Sequence, residues 1–153
     1  MFVSSWIAGL ANAPKVLALR REVFLEEAGI NKAQEFDWFD GIAMHLLVED
    51  QESGQTIACG RMYPDAGATR FGRIAVAQPY RDQLYDDLVL RIMLDKAQRL
   101  AGDPIIGEAE RGQVALFAQF GFKAAQEVAS APGRVCMSVP KDGVIWNRLC
   151  EQS

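Results

Sequence analysis

Phe71-Gly72-Arg73-Ile74-Ala75-Val76-Ala77-Gln78-Pro79-Tyr80-Arg81-Asp82-Gln83-Leu84-Tyr85-Asp86-Asp87-Leu88 joins an apolar strand pattern, a polar loop and the start of an amphipathic helix. The strand reads from Thr69 to Val76 and the helix from about Asp86 to Leu100. In such a strand-loop-helix unit the loop lies where backbone N–H groups at a helix N-terminus cradle a phosphate. That loop usually relies on glycine, which lets the backbone turn its donors toward one anion. None stands between Ala77 and Leu88.

Downstream, Ala101-Gly102-Asp103-Pro104 breaks the helix and Ile105 to Ala109 reads as a short buried strand. A helix from about Gln113 to Phe120 stops at Gly121, and Phe122–Val128 with Arg134–Val139 reads as a closing hairpin across Ser130-Ala131-Pro132-Gly133. Upstream, Met44–Glu49 and Thr56–Pro64 form an antiparallel pair turning through Gln51-Glu52-Ser53-Gly54. Before it, a strand over Val3–Ala8 leads to a helix from about Pro14 to Ala28. Asn12 is its expected N-cap and Gly29 its stop. The stretch between, with Trp38 and Phe39, reads as a loop or short helix whose aromatic residues line a pocket or cap the core. The expected fold is α/β of the α+β type, with a mixed, mostly antiparallel central sheet and helices on both faces.

A chain of 153 residues buries about 70% of its unfolded surface, enough for one domain with a substantial core. We expect a single domain, with its core over about 1–140 and a C-terminal extension over 141–153. The 20 acidic residues against 16 basic ones argue against a nucleic-acid partner. No apolar run reaches membrane-spanning length, and the interrupted opening segment reads as a strand rather than a signal peptide, so a cytoplasmic location is expected. Cys59, Cys136 and Cys150 lack metal-ligand spacing and read as reduced thiols.

The strand-loop-helix unit, Ala115-Leu116-Phe117-Ala118-Gln119-Phe120-Gly121-Phe122, Leu19 to Glu27, and Asp37-x-x-Asp40-x-x-Ala43-x-His45 together resemble the GNAT superfamily of acyl-CoA-dependent N-acyltransferases over roughly residues 16 to 140. The resemblance implies a sheet splayed after Val76 and an acetyl-CoA co-substrate whose pantetheine arm pairs with the fourth strand. It gives cofactor-binding positions at Ile74, Val76, Arg81, Gln83, Leu84, Asp86 and Phe117, in a pyrophosphate loop degenerate in its glycines. The glycine positions hold Asp82, Leu84 and Asp86. Either these aspartates, with Asp87, stabilise the helix start and fill the anion site, or they face solvent and leave Arg81 and the remaining N–H groups to hold phosphate. Phe117 occupies the position of the family's general-acid tyrosine and carries no hydroxyl, with Tyr80 and Tyr85 the nearest substitutes.

For catalysis the resemblance implies the Val76 N–H as an oxyanion-type donor. Glu108 and Glu110, at the end of the fifth strand, are the candidate bases, with Glu26, Glu27 and His45 behind them. Asp37, Asp40 and His45 lack the spacing that would fix a metal geometry, and no metal is expected. Val144, Ile145, Trp146 and Leu149 form an apolar stripe at helical spacing that packs on its own domain or on a second subunit of a homodimer. The function implied is transfer of an acetyl group from acetyl-CoA to a small-molecule amine. The alternative is a catalytically inactive derivative, binding coenzyme A poorly, that serves as a ligand- or protein-binding module.

Overall fold

The computed structural model describes residues 1–146. Seven strands form one sheet in the order β1-β2-β3-β4-β5-β7-β6. They are β1 Phe2–Ala8, β2 Met44–Asp50, β3 Thr56–Asp65, β4 Ala68–Val76, β5 Ile105–Ala109, β6 Lys123–Ala124 and β7 Val135–Val139. Every neighbouring pair is antiparallel except β4 with β5. The expected α+β architecture is the observed one.

Helix α1, Pro14–Arg20, runs on into a π-helical segment, Arg21–Glu27, and packs on one face of the sheet. Its stripe of Val16, Leu19 and Phe24 meets Leu47, Cys59 and Ala75 in a core of its own. Helix α2, Lys32–Glu35, follows Gly29, whose φ of 70° ends the preceding helix. Helices α3, Tyr85–Arg99, and α4, Val114–Gln119, carry the other core. There Leu90, Met93 and Leu94 meet Leu46, Ile57 and Met62. Phe117 seats on Gly107, where a Cβ would come within 2.6 Å of its ring, so a side chain at 107 would displace α4.

Two local expectations give way. Asn12 does not cap α1. The N-cap is Ala13, and the Asn12 amide turns back to the Ala8 carbonyl, 2.9 Å away. The expected strand Phe122–Val128 shrinks to the two residues of β6, and the chain that follows is tied to side chains of β4 and β5 instead. The Ser130 N–H and hydroxyl bind the Glu108 carboxylate at 2.7 and 2.5 Å, and Glu127 takes both Nη atoms of Arg70. The described part of the tail takes the first of its two expected packings. Lys141–Gly143 is a single 3-10 turn, beyond which Val144 and Trp146 pack on the α3 core of their own domain. Leu149 and Cys150 lie outside the described residues.

β4 and β5 pair only from Thr69 with Ile105 to Phe71 with Gly107. The splay therefore opens at Gly72 rather than after Val76. The cause is a bulge: Cys59 faces Ala75 and Arg61 faces Gly72, so Arg73 and Ile74 share one partner position, and Arg73 takes a φ of 53°. No helix among the described residues is long and apolar enough to cross a membrane.

Candidate active site

The splay opens a cleft of about 860 Å³ between β4, the β5–α4 turn, the π-helical end of α1 and the loop before α3. Ile74, Val76, Arg81, Leu84, Asp86 and Glu110 all line it. Val76 faces Ala58, while the neighbouring Ala77 N–H donates to the Ile57 carbonyl at 2.8 Å. In an antiparallel ladder this makes Val76 a non-hydrogen-bonded position toward β3, so its own N–H and C=O turn into the splay. Arg81 Nε donates to that carbonyl at 3.0 Å, and Gln113 Nε2 donates to the Ile74 carbonyl, also at 3.0 Å. Two acceptors on the open edge of β4 thus already have partners.

The loop keeps a glycine-like shape without glycine. Asp82 and Leu84 both stand in the left-handed region, at φ 67° and 64°. Asparagine and aspartate tolerate this region, but for leucine it costs about 1–2 kcal/mol. Leu84 is 71% exposed, so no burial offsets that strain. The conformation opens the backbone N–H groups of Asp82 to Asp86, which have no partner among the described residues. Of the aspartates at the helix start, Asp86 takes the Asp87 N–H at 2.9 Å and Asp87 pairs with Arg91 one turn on. Only part of the helix terminus is therefore satisfied by the protein's own carboxylates. Leu84→Gly is expected to leave stability unchanged or raise it by up to about 1 kcal/mol, as relieved strain offsets the entropy of a new glycine. Leu84→Val is expected to lower it. Urea unfolding of the two variants separates strain from side-chain loss.

Arg81 bridges the cleft mouth, its Nη2 lying 2.6 Å from Glu27 on the π-helical segment. Tyr80 donates to Gln55 at 2.9 Å, and Tyr85 also lines the cleft. Gln83 turns its amide back to the Pro79 carbonyl, and Glu26 is exposed. Phe117 is fully enclosed between Phe71 and Phe122 and presents nothing to the cleft.

Beside the cleft lies a buried ionic network that the sequence reading did not foresee. Glu35, with no exposure, meets Arg20 Nε at 2.7 Å and Arg134 Nη2 at 2.5 Å. Arg20 continues to Asp40, Asp40 to Arg61, and Arg61 to Asp37. Arg73 joins Glu108 at 2.7 Å, and Arg134 Nε spans both oxygens of Glu110 at 2.9 and 3.0 Å. Burial would raise the Asp40 pKa, but Arg20 and Arg61 outweigh it and bring it to about 2. His45 bonds the Asp40 backbone carbonyl through Nε2 at 3.0 Å, and burial holds its pKa below the usual imidazole value. Asp37 and Asp40 thus share Arg61, and His45 meets the Asp40 backbone carbonyl rather than either carboxylate.

The two candidate bases differ. Glu108 lines a separate cavity of about 190 Å³, walled by β3, β4 and β5 with Asp37, Phe39, Glu127 and Ser130, which shares no lining residue with the cleft. Burial pushes its carboxyl up, but the Ser130 hydroxyl and N–H and the Arg73 guanidinium reverse this and hold it below the usual range. Glu110 lines the cleft itself, and there burial prevails over Arg134, so its pKa is raised.

A model of the acetyltransferase (GNAT) domain matches residues 19–98. The uncharacterized protein YyaT of Bacillus subtilis (strain 168) is 34% identical over 74 residues, 46% of this chain, and the match spans 49% of YyaT, about half its length. Crystal structures of ElaA from Escherichia coli and of an acyl-CoA N-acyltransferase from Pseudomonas aeruginosa each superpose with a TM-score of 0.76. Both matches cover 90% of this chain and 99% of the other, at 19% and 25% identity respectively. The GNAT family N-acetyltransferase YhbS from Escherichia coli, solved in complex with CoA, matches 92% of this chain and 81% of its own at 17% identity, with a TM-score of 0.60. With the family match spanning half the sequence and the splayed sheet in place, the chain belongs to the GNAT acetyltransferase family.

Proposed function

We propose that the chain transfers an acetyl group from acetyl-CoA to an amine. The observation that carries this reading is Leu84: an exposed leucine is held in the left-handed region among five backbone N–H groups, Asp82 to Asp86, that have no partner among the described residues. Strain of this kind persists where the surrounding structure imposes it, and it gathers at ligand sites. The pyrophosphate would lie on those N–H groups and the helix terminus, with Arg81 exchanging Glu27 for phosphate. The pantetheine arm would run along the open edge of β4, past Ile74 and Val76.

In the reaction, Glu110 removes a proton from the ammonium or nascent ammonium, and its raised pKa suits that task. The amine nitrogen adds to the thioester carbonyl carbon, and the Val76 N–H stabilises the oxyanion. The C–S bond then breaks, giving the amide and a coenzyme A thiolate, which takes its proton from water because Phe117 has none to give. Glu108, bound by Arg73 and Ser130 in the other cavity, holds the network rather than the proton. Cys59 and Cys136 are free thiols, which fits a reducing cytoplasm as the place of this chemistry.

Thiol release from acetyl-CoA across a panel of amines tests the reading, with amine-dependent release the expected result. A second reading, a binding module without turnover, is favoured by Phe117 and by the occupied carbonyls of Ile74 and Val76. Little or no acetyl-CoA binding, with no thiol release on any amine, would favour that second reading.

A further inference from the structure

The charges around the cleft are not what its sequence suggests. Glu110 is paired with Arg134, so the carboxylate at the chemical end of the cleft that would have drawn a cationic acceptor already has its counter-charge. At the β5 end of the cleft one charge is left uncompensated: Arg111 has no hydrogen bond or ion pair among the described residues. Arg111 is exposed, and its guanidinium lies beside Gly133. A Cβ on Gly133 would lie 3.4 Å from Arg111 Nε and 3.5 Å from Nη2, so the arginine rests against a turn whose missing side chain leaves it room.

Arg111 also sits at the chemical end of the cleft rather than at the phosphate loop. It follows Glu110 directly, and its turn is tied down twice. The Glu110 N–H donates to Gln113 Oε1 at 3.0 Å, and Gln113 Nε2 holds the Ile74 carbonyl, two residues from Val76. The acyl-accepting nitrogen must come to this end of the cleft. We propose that Arg111 reads a carboxylate on the acceptor, so that the substrate is an amino acid or a related amino carboxylate, with its amine at Glu110 and its carboxylate on the guanidinium. A planar carboxylate accepts two parallel N–H bonds from such a fork. This rests on the transferase reading for the identity of the nitrogen acceptor, but not for the binding of the carboxylate.

The test compares amino acids with their carboxamides, which keep the amine and the size and lose the charge. Thiol release and calorimetric titration are run on the intact chain. The acids are expected to exceed the amides by about 10–100-fold in kcat/KM, as a charge-assisted bidentate contact implies. Arg111→Gln is expected to abolish that preference by raising KM for the acids while KM for acetyl-CoA stays put, and Arg111→Lys to restore part of it. Amides used as well as acids, or a preference that survives Arg111→Gln, would overturn the proposal. So would a rise in KM for acetyl-CoA alone, which would assign Arg111 to the donor. If no amine is acetylated, titration still decides: acids binding more tightly than amides in an Arg111-dependent way upholds the carboxylate site although the transferase reading has failed, and equal binding overturns it.

Discussion

Glu35→Ala is expected to remove about 3–5 kcal/mol of folding stability, the cost of leaving buried charges without their partner. The carboxylate is fully enclosed and links Arg20, Arg134 and, at 3.4 Å, Arg73, three arginines that are themselves almost wholly buried. Its backbone carbonyl also receives Arg20 and Arg73, so alanine keeps those bonds and loses only the charge and its geometry. For a domain of this size the midpoint of thermal unfolding should fall by roughly 6–20 °C. A helix-surface pair provides the comparison. Asp95 and Arg99 lie mostly in water, and breaking them should hardly move the transition. A Glu35→Ala loss no larger than that of Asp95→Ala would mean the network does not stabilise the fold. Because Arg134 also holds Glu110, the same substitution should loosen the cleft.

The second large effect is on the reaction. Glu110→Gln should lower kcat/KM by about 10²–10⁴-fold, the usual contribution of a positioned base, while acetyl-CoA affinity stays as it was. Glutamine keeps the volume and an acceptor for Arg134, so folding should survive. The pH profile gives the sharper readout. A base works deprotonated, and burial raises the Glu110 pKa, so wild-type activity should fall as pH drops through that raised value. Glu110→Gln should erase this limb, whereas Glu108→Gln should keep it, because Glu108 stands in the other cavity with a lowered pKa. A Glu110→Gln enzyme with near-wild-type turnover would require another base.

Much of this architecture is legible in the sequence because it is local. Ile105–Ala109 forms a strand with the expected limits, since Asp103-Pro104 before it and the turn after Ala109 punctuate a short apolar run. Tyr85–Arg99 follows helical periodicity closely enough that its start differs from expectation by one residue. The cleft residues Ile74, Val76, Arg81, Leu84, Asp86 and Glu110 come together because one strand-loop-helix unit and one strand end place them.

What stayed hidden depends on distant partners. Arg134 and Glu35 are 99 residues apart in the chain, and nothing in the spacing around either names the other. One signal was present: Arg61 and Arg73 interrupt apolar strands, and a charge in the middle of a central strand demands a buried partner. The shortened β6 has the same origin, since Glu127 and Ser130 answer to Arg70 and Glu108 rather than to a strand neighbour. The loop before α3 holds the opposite lesson. Nothing in its sequence announced a glycine-like backbone, yet Asp82 and Leu84 adopt glycine-like torsions. Residue type set the cost of that conformation and did not prevent it.

The most direct test of the account is thermal unfolding with and without acetyl-CoA, paired with calorimetric titration. If the open N–H groups before α3 form a phosphate site, ligand at 100 times its dissociation constant should stabilise the chain by about 2.7 kcal/mol. For this size that corresponds to a rise of roughly 5–11 °C in the unfolding midpoint. No rise and no binding heat at millimolar acetyl-CoA would contradict the account at its centre, because the strained loop would then hold its shape for something other than coenzyme A.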